Sequence, residues 1–234
     1  MTEQKASLAP APPDANGGRR ARLRQRLFDG GGKALLDHEL VEYLLALAVP
    51  RRDTKPLAKK LIAQFGGIGP LLGADPGTLR REGLSDGIIG ALKIAQATAL
   101  RLLETRIEGR PLLSSWEALG HYLQAAMSHA AIEEVRVLFL NAKNVLIANE
   151  SLWTGSVDEA SVHVREVIAR AIALGATALI IVHNHPSGDP TPSRQDIILT
   201  KELIDAGRYM KIIVHDHVIV GAQGRSSMRA LGLI

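Results

Sequence analysis

Ala178-Leu179-Ile180-Ile181-Val182-His183-Asn184-His185-Pro186-Ser187-Gly188-Asp189-Pro190-Thr191-Pro192-Ser193-Arg194-Gln195-Asp196 joins an unbroken apolar run to a proline-rich loop and then to a helical pattern. Five consecutive apolar residues suit a strand buried on both faces. Pro186, Pro190 and Pro192 stiffen the loop, Ser187-Gly188 supplies its turn, and a helix is predicted from Arg194 to Ala206, stopping at Gly207. Upstream, Val164, Val167, Ile168, Ala171 and Ile172 form one helical stripe closed by Gly175. Before it, Val135–Leu140 and Val145–Trp153 read as strands around a turn at Asn141–Asn144, and Ser114 or Ser115 can cap a helix through Tyr122 and Met127. Lys211–Val220 is the last clear strand. Strands alternating with helices predict an α/β layered domain over 116–234.

Residues 19–107 read differently. Leu35, Leu36, Leu40, Val41, Leu44 and Leu45 recur at helical spacing around Asp37 as N-cap, and a second helix runs from about Thr54 to Phe65 before Gly66-Gly67. Asp75-Pro76 reads as cap and first position of a short third helix, and a long helix comes after Gly83-Leu84-Ser85. This last segment resembles a helix-hairpin-helix, which grips DNA phosphates with backbone amides, although one glycine stands here where that module carries two. Residues 108–115, around Glu108-Gly109-Arg110-Pro111, read as a linker, and residues 1–18, rich in Pro, Ala and Gly, as a disordered tail.

Composition narrows the chemistry. Among 234 residues there is no cysteine, which excludes disulfides, thiolate catalysis and Cys-based zinc sites. Aromatics are 3%, too few for an extended stacking platform for single strands. Nothing approaches a membrane span, so a soluble, cytoplasmic protein is expected. Residues 1–109 carry 17 Lys and Arg against 12 Asp and Glu, and the remainder 11 against 12. Any attraction to DNA therefore belongs to the N-terminal half, where Arg19, Arg20, Arg22, Arg24 and Arg26 cluster; a solvated arm is the plainer reading.

His183 and His185 stand two apart at a strand end, so both project to one side while Asn184 points away. The stiff loop returns Asp196 on the first turn of the next helix. Two imidazoles and a carboxylate leave a fourth tetrahedral position for water, the composition of a catalytic zinc site. Such ligands also accept other divalent ions. Ser193 and Asp196, spaced Ser-x-x-Asp, are equally a helix capping box, a reading compatible with ligation. His215-Asp216-His217 repeats the His-x-His pattern without a completing carboxylate and reads as structural or as support for the first pair.

His-x-His, seven residues, Ser, two residues, Asp is similar to the zinc motif of the JAMM (MPN+) metalloproteases, and HNHPSGDPTPSRQD resembles their RadC branch. The resemblance implies a deaminase-like layered JAMM/MPN-type α/β domain preceded by a small all-α, helix-hairpin-helix-like domain. It implies that His183, His185 and Asp196 hold Zn2+, that Ser193 stabilises an oxyanion, and that a Glu just before the first strand is the general base. That Glu matches Glu134, with Glu133 its alternative and Glu150 and Glu166 weaker ones. Asn184 stands where deubiquitinating members carry Ser or Thr, so their isopeptide substrate does not carry over. The implied function is a zinc hydrolase acting on an amide or isopeptide bond of a peptide or protein. The competing readings are a DNA-associated repair or recombination protein and a metal-stabilised interaction module.

Overall fold

The computed structural model describes residues 15–155 and 163–234. The tail expected over residues 1–18 lies outside the described residues up to 14; from Ala15 the chain is already in the first helix, α1 (Ala15–Gly30). The chain forms two compact units, one of residues up to Leu71 with Ser85–Leu92, the other of Leu72–Leu84 with Lys93–Ile234.

The first unit is helical: α1, α2 (Asp37–Ala48), α3 (Lys55–Phe65), most of α4 (Ile68–Gly73) and the beginning of α6 (Asp86–Glu104). Leu23, Val41, Leu45, Leu61 and Leu71 are buried. Asp37 is the first residue of α2 and not its cap; the Glu39 carboxylate closes that end by accepting the Leu36 N–H at 3.1 Å. Gly66 ends α3 in the left-handed region at φ 82°, where a side chain would be strained. The arginines of α1 are largely committed. Arg19 pairs with Glu42, Arg26 with Glu39 at 2.8 Å, and Arg20 donates to the Pro50 and Arg52 carbonyls.

The second unit begins with α5 (Pro76–Arg81), capped by Asp75 through a 2.9 Å bond from the Thr78 N–H. The long helix α6 contributes its larger part, and α7 (Trp116–Met127) comes next. Residues 108–115, expected as a linker, belong to this unit, and Leu112 is buried in its core together with Ile107, the residue just before the segment.

Its centre is a five-stranded sheet in the order β2-β1-β3-β4-β5, made of β1 (Glu133–Leu140), β2 (Leu146–Gly155), β3 (Ala178–Asn184), β4 (Ile213–Gly221) and β5 (Gly224–Ser227). Only β3 and β4 run parallel. Every residue of β3 is buried, as expected of a central strand covered on both faces. On one face Leu138, Ile180, Val182 and Val220 pack with Leu119, Leu123 and Met127 of α7. On the other, Val137, Phe139, Leu179 and Ile181 meet α8 (Val164–Ala173) and Leu203 of α9 (Arg194–Tyr209). Each such fully buried side chain contributes roughly 1.5–3 kcal/mol.

Three details depart from the sequence reading. β5 was not predicted, because Gly-Arg-Ser-Ser has neither alternation nor β-branched residues. The pairing of β3 with β4 slips between Leu179 and Ile180, so His215 falls in the irregularity and turns to Asn144 at 2.6 Å while His217 faces α9. Gly207 does not end its helix, which continues to Tyr209. A Cβ there would lie 2.6 Å from the Ile212 carbonyl oxygen, so this glycine permits a close backbone approach. A helical Gly→Ala change ordinarily stabilises by up to about 1 kcal/mol. Gly207→Ala is expected to destabilise instead, by about 1–3 kcal/mol in denaturant unfolding; an unchanged or higher midpoint would refute the close approach.

Candidate metal centre

The site sits at the carboxyl end of β3. Opposite residues of paired strands share a face, and Val135 is opposite His183, so continuing the antiparallel register brings Glu133 level with His185. The His185 N–H donates to the Val220 carbonyl at 2.8 Å, holding the loop against β4. The loop is docked further along: the Gln223 N–H donates to the Gly188 carbonyl at 3.0 Å and the Ser226 hydroxyl to the Pro190 carbonyl. Gly221 admits this packing, since a Cβ there would collide with the Gly188 carbonyl.

α9 then opens with a complete capping box. Ser193 Oγ accepts the Asp196 N–H at 3.2 Å, and Asp196 Oδ2 accepts the Ser193 N–H at 2.6 Å. The capping fixes the carboxylate rather than consuming it. Asp196 Oδ1 lies 3.4 Å from His183 Nε2 and Asp196 Oδ2 lies 3.6 Å from His185 Nε2. Glu133 Oε1 approaches His183 Nε2 at 3.8 Å. Among the described residues, Glu133, His183 and His185 each offer a ligating atom within 4.8 Å of the others.

Glu134, the base expected from the sequence, is not part of this cluster. Neighbours on a strand point to opposite faces. The Glu134 carboxylate therefore pairs with Arg136 at 2.9 Å, and Glu133 takes the place beside His183. Glu150 is bound to Arg170 at 2.7 Å and Glu166 lies near Arg165. Asn184, buried and facing away from the histidines, ties down the chain leading into β1. Its Oδ1 accepts the Glu134 N–H at 2.8 Å and its Nδ2 donates to the Ile132 carbonyl at 3.1 Å. The residue between the histidines thus secures the segment that carries Glu133.

His185 Nδ1 faces the Asp189 carbonyl oxygen at 2.8 Å. A carbonyl only accepts, so the ring proton sits on Nδ1 in the neutral imidazole, leaving the Nε2 lone pair for the cluster. His183 Nε2 is buried and makes no hydrogen bond. A buried polar atom without a partner costs free energy unless something else satisfies it. Around a tetrahedral ion with bonds of about 2.0–2.2 Å, ligand atoms stand about 3.3–3.6 Å apart, and each imidazole Nε2 has one Asp196 oxygen at such a separation, Oδ1 for His183 and Oδ2 for His185. The residues fit a divalent cation.

The electrostatics agree. Burial presses the His183 imidazole down to about 4, partly opposed by Asp196. Burial raises the Asp196 carboxyl, but contacts with His185, His183 and Ser193 outweigh it and hold the group well below the usual carboxylate range. Asp196 raises the His185 imidazole against burial, so a cation would displace a proton there. Glu133 is raised, chiefly by burial.

A sequence profile described as the RadC-like JAB domain matches residues 113–233. A relative named UPF0758 protein, from Rhodobacter capsulatus, is 46% identical over 213 residues, which are 91% of this chain and 100% of its own length. The chain belongs to the RadC-like JAB family. Within this RadC-like domain, sequence reasoning placed His183, His185, Ser193 and Asp196 near one another, as the structure does. It missed Thr200 altogether. Nothing in the local pattern marks a helical threonine as a partner of His217, because the two meet only when α9 packs on β4.

In the metal-free protein, acid should be destabilising through the buried imidazoles. His183 ionises at about 4 when folded and about 6.5 when unfolded, and His217 is displaced in the same direction. Their stabilisation is complete above the unfolded value and is lost as pH falls toward the folded one. His185, raised, contributes stability that is present below its unfolded value and lost only above it, outside this window, while Glu133 opposes the loss in part. Thermal melting in excess chelator should fall from about pH 6.5 to about pH 4, with His183 contributing on the order of 3 kcal/mol at most. A flat or rising melting temperature over that range would contradict the buried, neutral His183.

Proposed function

We propose that the RadC-like domain is a zinc-dependent hydrolase acting on an amide or isopeptide bond of a peptide or protein, with His183, His185 and Asp196 as metal ligands. The observation that carries this reading is the buried, partnerless Nε2 of His183, turned toward the Asp196 carboxylate that also faces His185. Asp196 is preferred to Glu133 as third ligand because it stands nearer, is held by two capping bonds and stays ionised. Zinc at such a site supplies Lewis acidity and lowers the pKa of its water toward about 7.

The chain's own groups divide the remaining work. Glu133, half-buried and with its carboxyl raised, is suited to take a proton at a carboxylate oxygen and return it to the leaving nitrogen. Ser193 Oγ already accepts the Asp196 N–H, which leaves its own proton free to donate to the oxyanion that develops on the substrate carbonyl. Arg136 keeps Glu134 occupied on the other face. The Asp189 carbonyl orients His185.

DNA association through the N-terminal half has less support, because Arg19, Arg20 and Arg26 are engaged within the first unit. No helix among the described residues is long and apolar enough to cross a membrane.

Metal analysis of the purified protein should find about one zinc per chain, lost in His185→Ala. No metal in the wild type after zinc is offered would sink the proposal. On a peptide that the wild type cleaves, Glu133→Gln should lower kcat by about 100-fold or more with zinc retained, since a general base contributes about 10²–10⁴-fold. Glu134→Gln should leave kcat within a fewfold. The reverse outcome would return the base to Glu134.

A further inference from the structure

Behind the cluster lies a second layer of polar groups that the proposed chemistry does not use. Thr200 stands one turn beyond Asp196 on α9, and His217 lies on β4 beside β3. Thr200 is 0% exposed and His183 and His217 are each 1% exposed. His183 Nδ1 meets His217 Nε2 at 2.9 Å, and His217 Nδ1 meets Thr200 Oγ1 at 2.6 Å. Thr200 Oγ1 lies 2.5 Å from the Asp196 carbonyl oxygen and 3.6 Å from Met228 Sδ, neither of which can donate.

The direction of every proton in this chain of bonds is set at its far end. The single hydroxyl proton of Thr200 goes to the Asp196 carbonyl, so Oγ1 must accept from His217 Nδ1–H. A neutral imidazole carries one ring proton, which makes His217 Nε2 an acceptor. His183 must then donate from Nδ1, and its Nε2 is left with a lone pair directed into the cluster. The opposite direction would put a proton on His183 Nε2, which makes no hydrogen bond and whose nearest acceptor, Asp196 Oδ1, stands 3.4 Å away.

We propose that Thr200 and His217 are positioning residues that lock His183 in its Nδ1–H tautomer and so keep Nε2 open for a metal ion. The affinity part of this inference rests on the metal reading above; the tautomer part does not. The arrangement also joins the two sides of the site. The carbonyl that ends the relay belongs to Asp196, so the residue supplying the carboxylate also sets the tautomer of the imidazole facing it.

Two measurements test it. In metal-free wild-type protein, long-range proton–nitrogen spectra of the imidazoles should show His183 Nδ1 protonated and Nε2 bare; a protonated Nε2 overturns the proposal without any variant being made. Zinc affinity, measured by competition with a chromophoric chelator, should fall about 10- to 100-fold in Thr200→Val, as expected for losing an outer hydrogen-bond partner of a metal ligand. Thr200→Ser, which restores the hydroxyl, should recover it. Equal affinity in wild type and Thr200→Val, or a loss that Thr200→Ser does not recover, overturns the proposal. Metal-free melting of both variants tells loss of the relay from loss of the fold. A wild type that binds no zinc yet shows the predicted tautomer would refute the metal reading and leave the relay standing.

Discussion

The burial of β3 on both faces is the constraint on which the rest of the second unit depends. A strand covered by α7 on one side and by α8 and α9 on the other has no solvent for any side chain, and its last two residues are His183 and Asn184. Two polar side chains placed there must be satisfied by the protein or by something it binds. Asn184 is satisfied on the α7 side by the backbone leading into β1. His183 is satisfied at one ring nitrogen only. That asymmetry distinguishes a residue that closes the structure from one that opens a site.

The polar groups around His183 are organised in depth. Nearest are the Asp196 carboxylate, Glu133 and His185; behind them stand His217 and Thr200. A polar network in a low-dielectric interior is stable only if nearly every donor and acceptor in it is paired. The single exception within this network falls where the ligand-type atoms converge, which argues for a binding role over a structural one. Much of the precision comes from the backbone: the capping box of α9 fixes Asp196, and the docking of Gly188 onto the β4–β5 turn fixes the loop after His185.

Several parts of this arrangement were legible in the residues. The apolar run from Ala178 to Val182 specified a buried strand because no half-exposed strand tolerates it. The His-x-His spacing specified that both imidazoles share a side, since strand side chains alternate. Ser193 and Asp196 specified a helix start, and that local hydrogen-bonding pattern survives in the fold unchanged. Each of these is a short-range rule, settled within a few residues of chain.

What tertiary structure decided has longer reach. Whether Glu133 or Glu134 faces the histidines depends on the register of β1 against β3, and strand alternation turns a one-residue difference into opposite faces. The irregularity in the β3–β4 pairing separated His215 from His217, which the alternation of a regular strand would have placed together. Gly207 reads as a helix stop in the sequence, yet its role is a contact with the Ile212 carbonyl across a turn. The partnership of Thr200 and His217 exists only once α9 lies over β4. The sequence by itself determined which residue types were available and how they alternate along each element; the packing of elements far apart in the chain decided which of them meet.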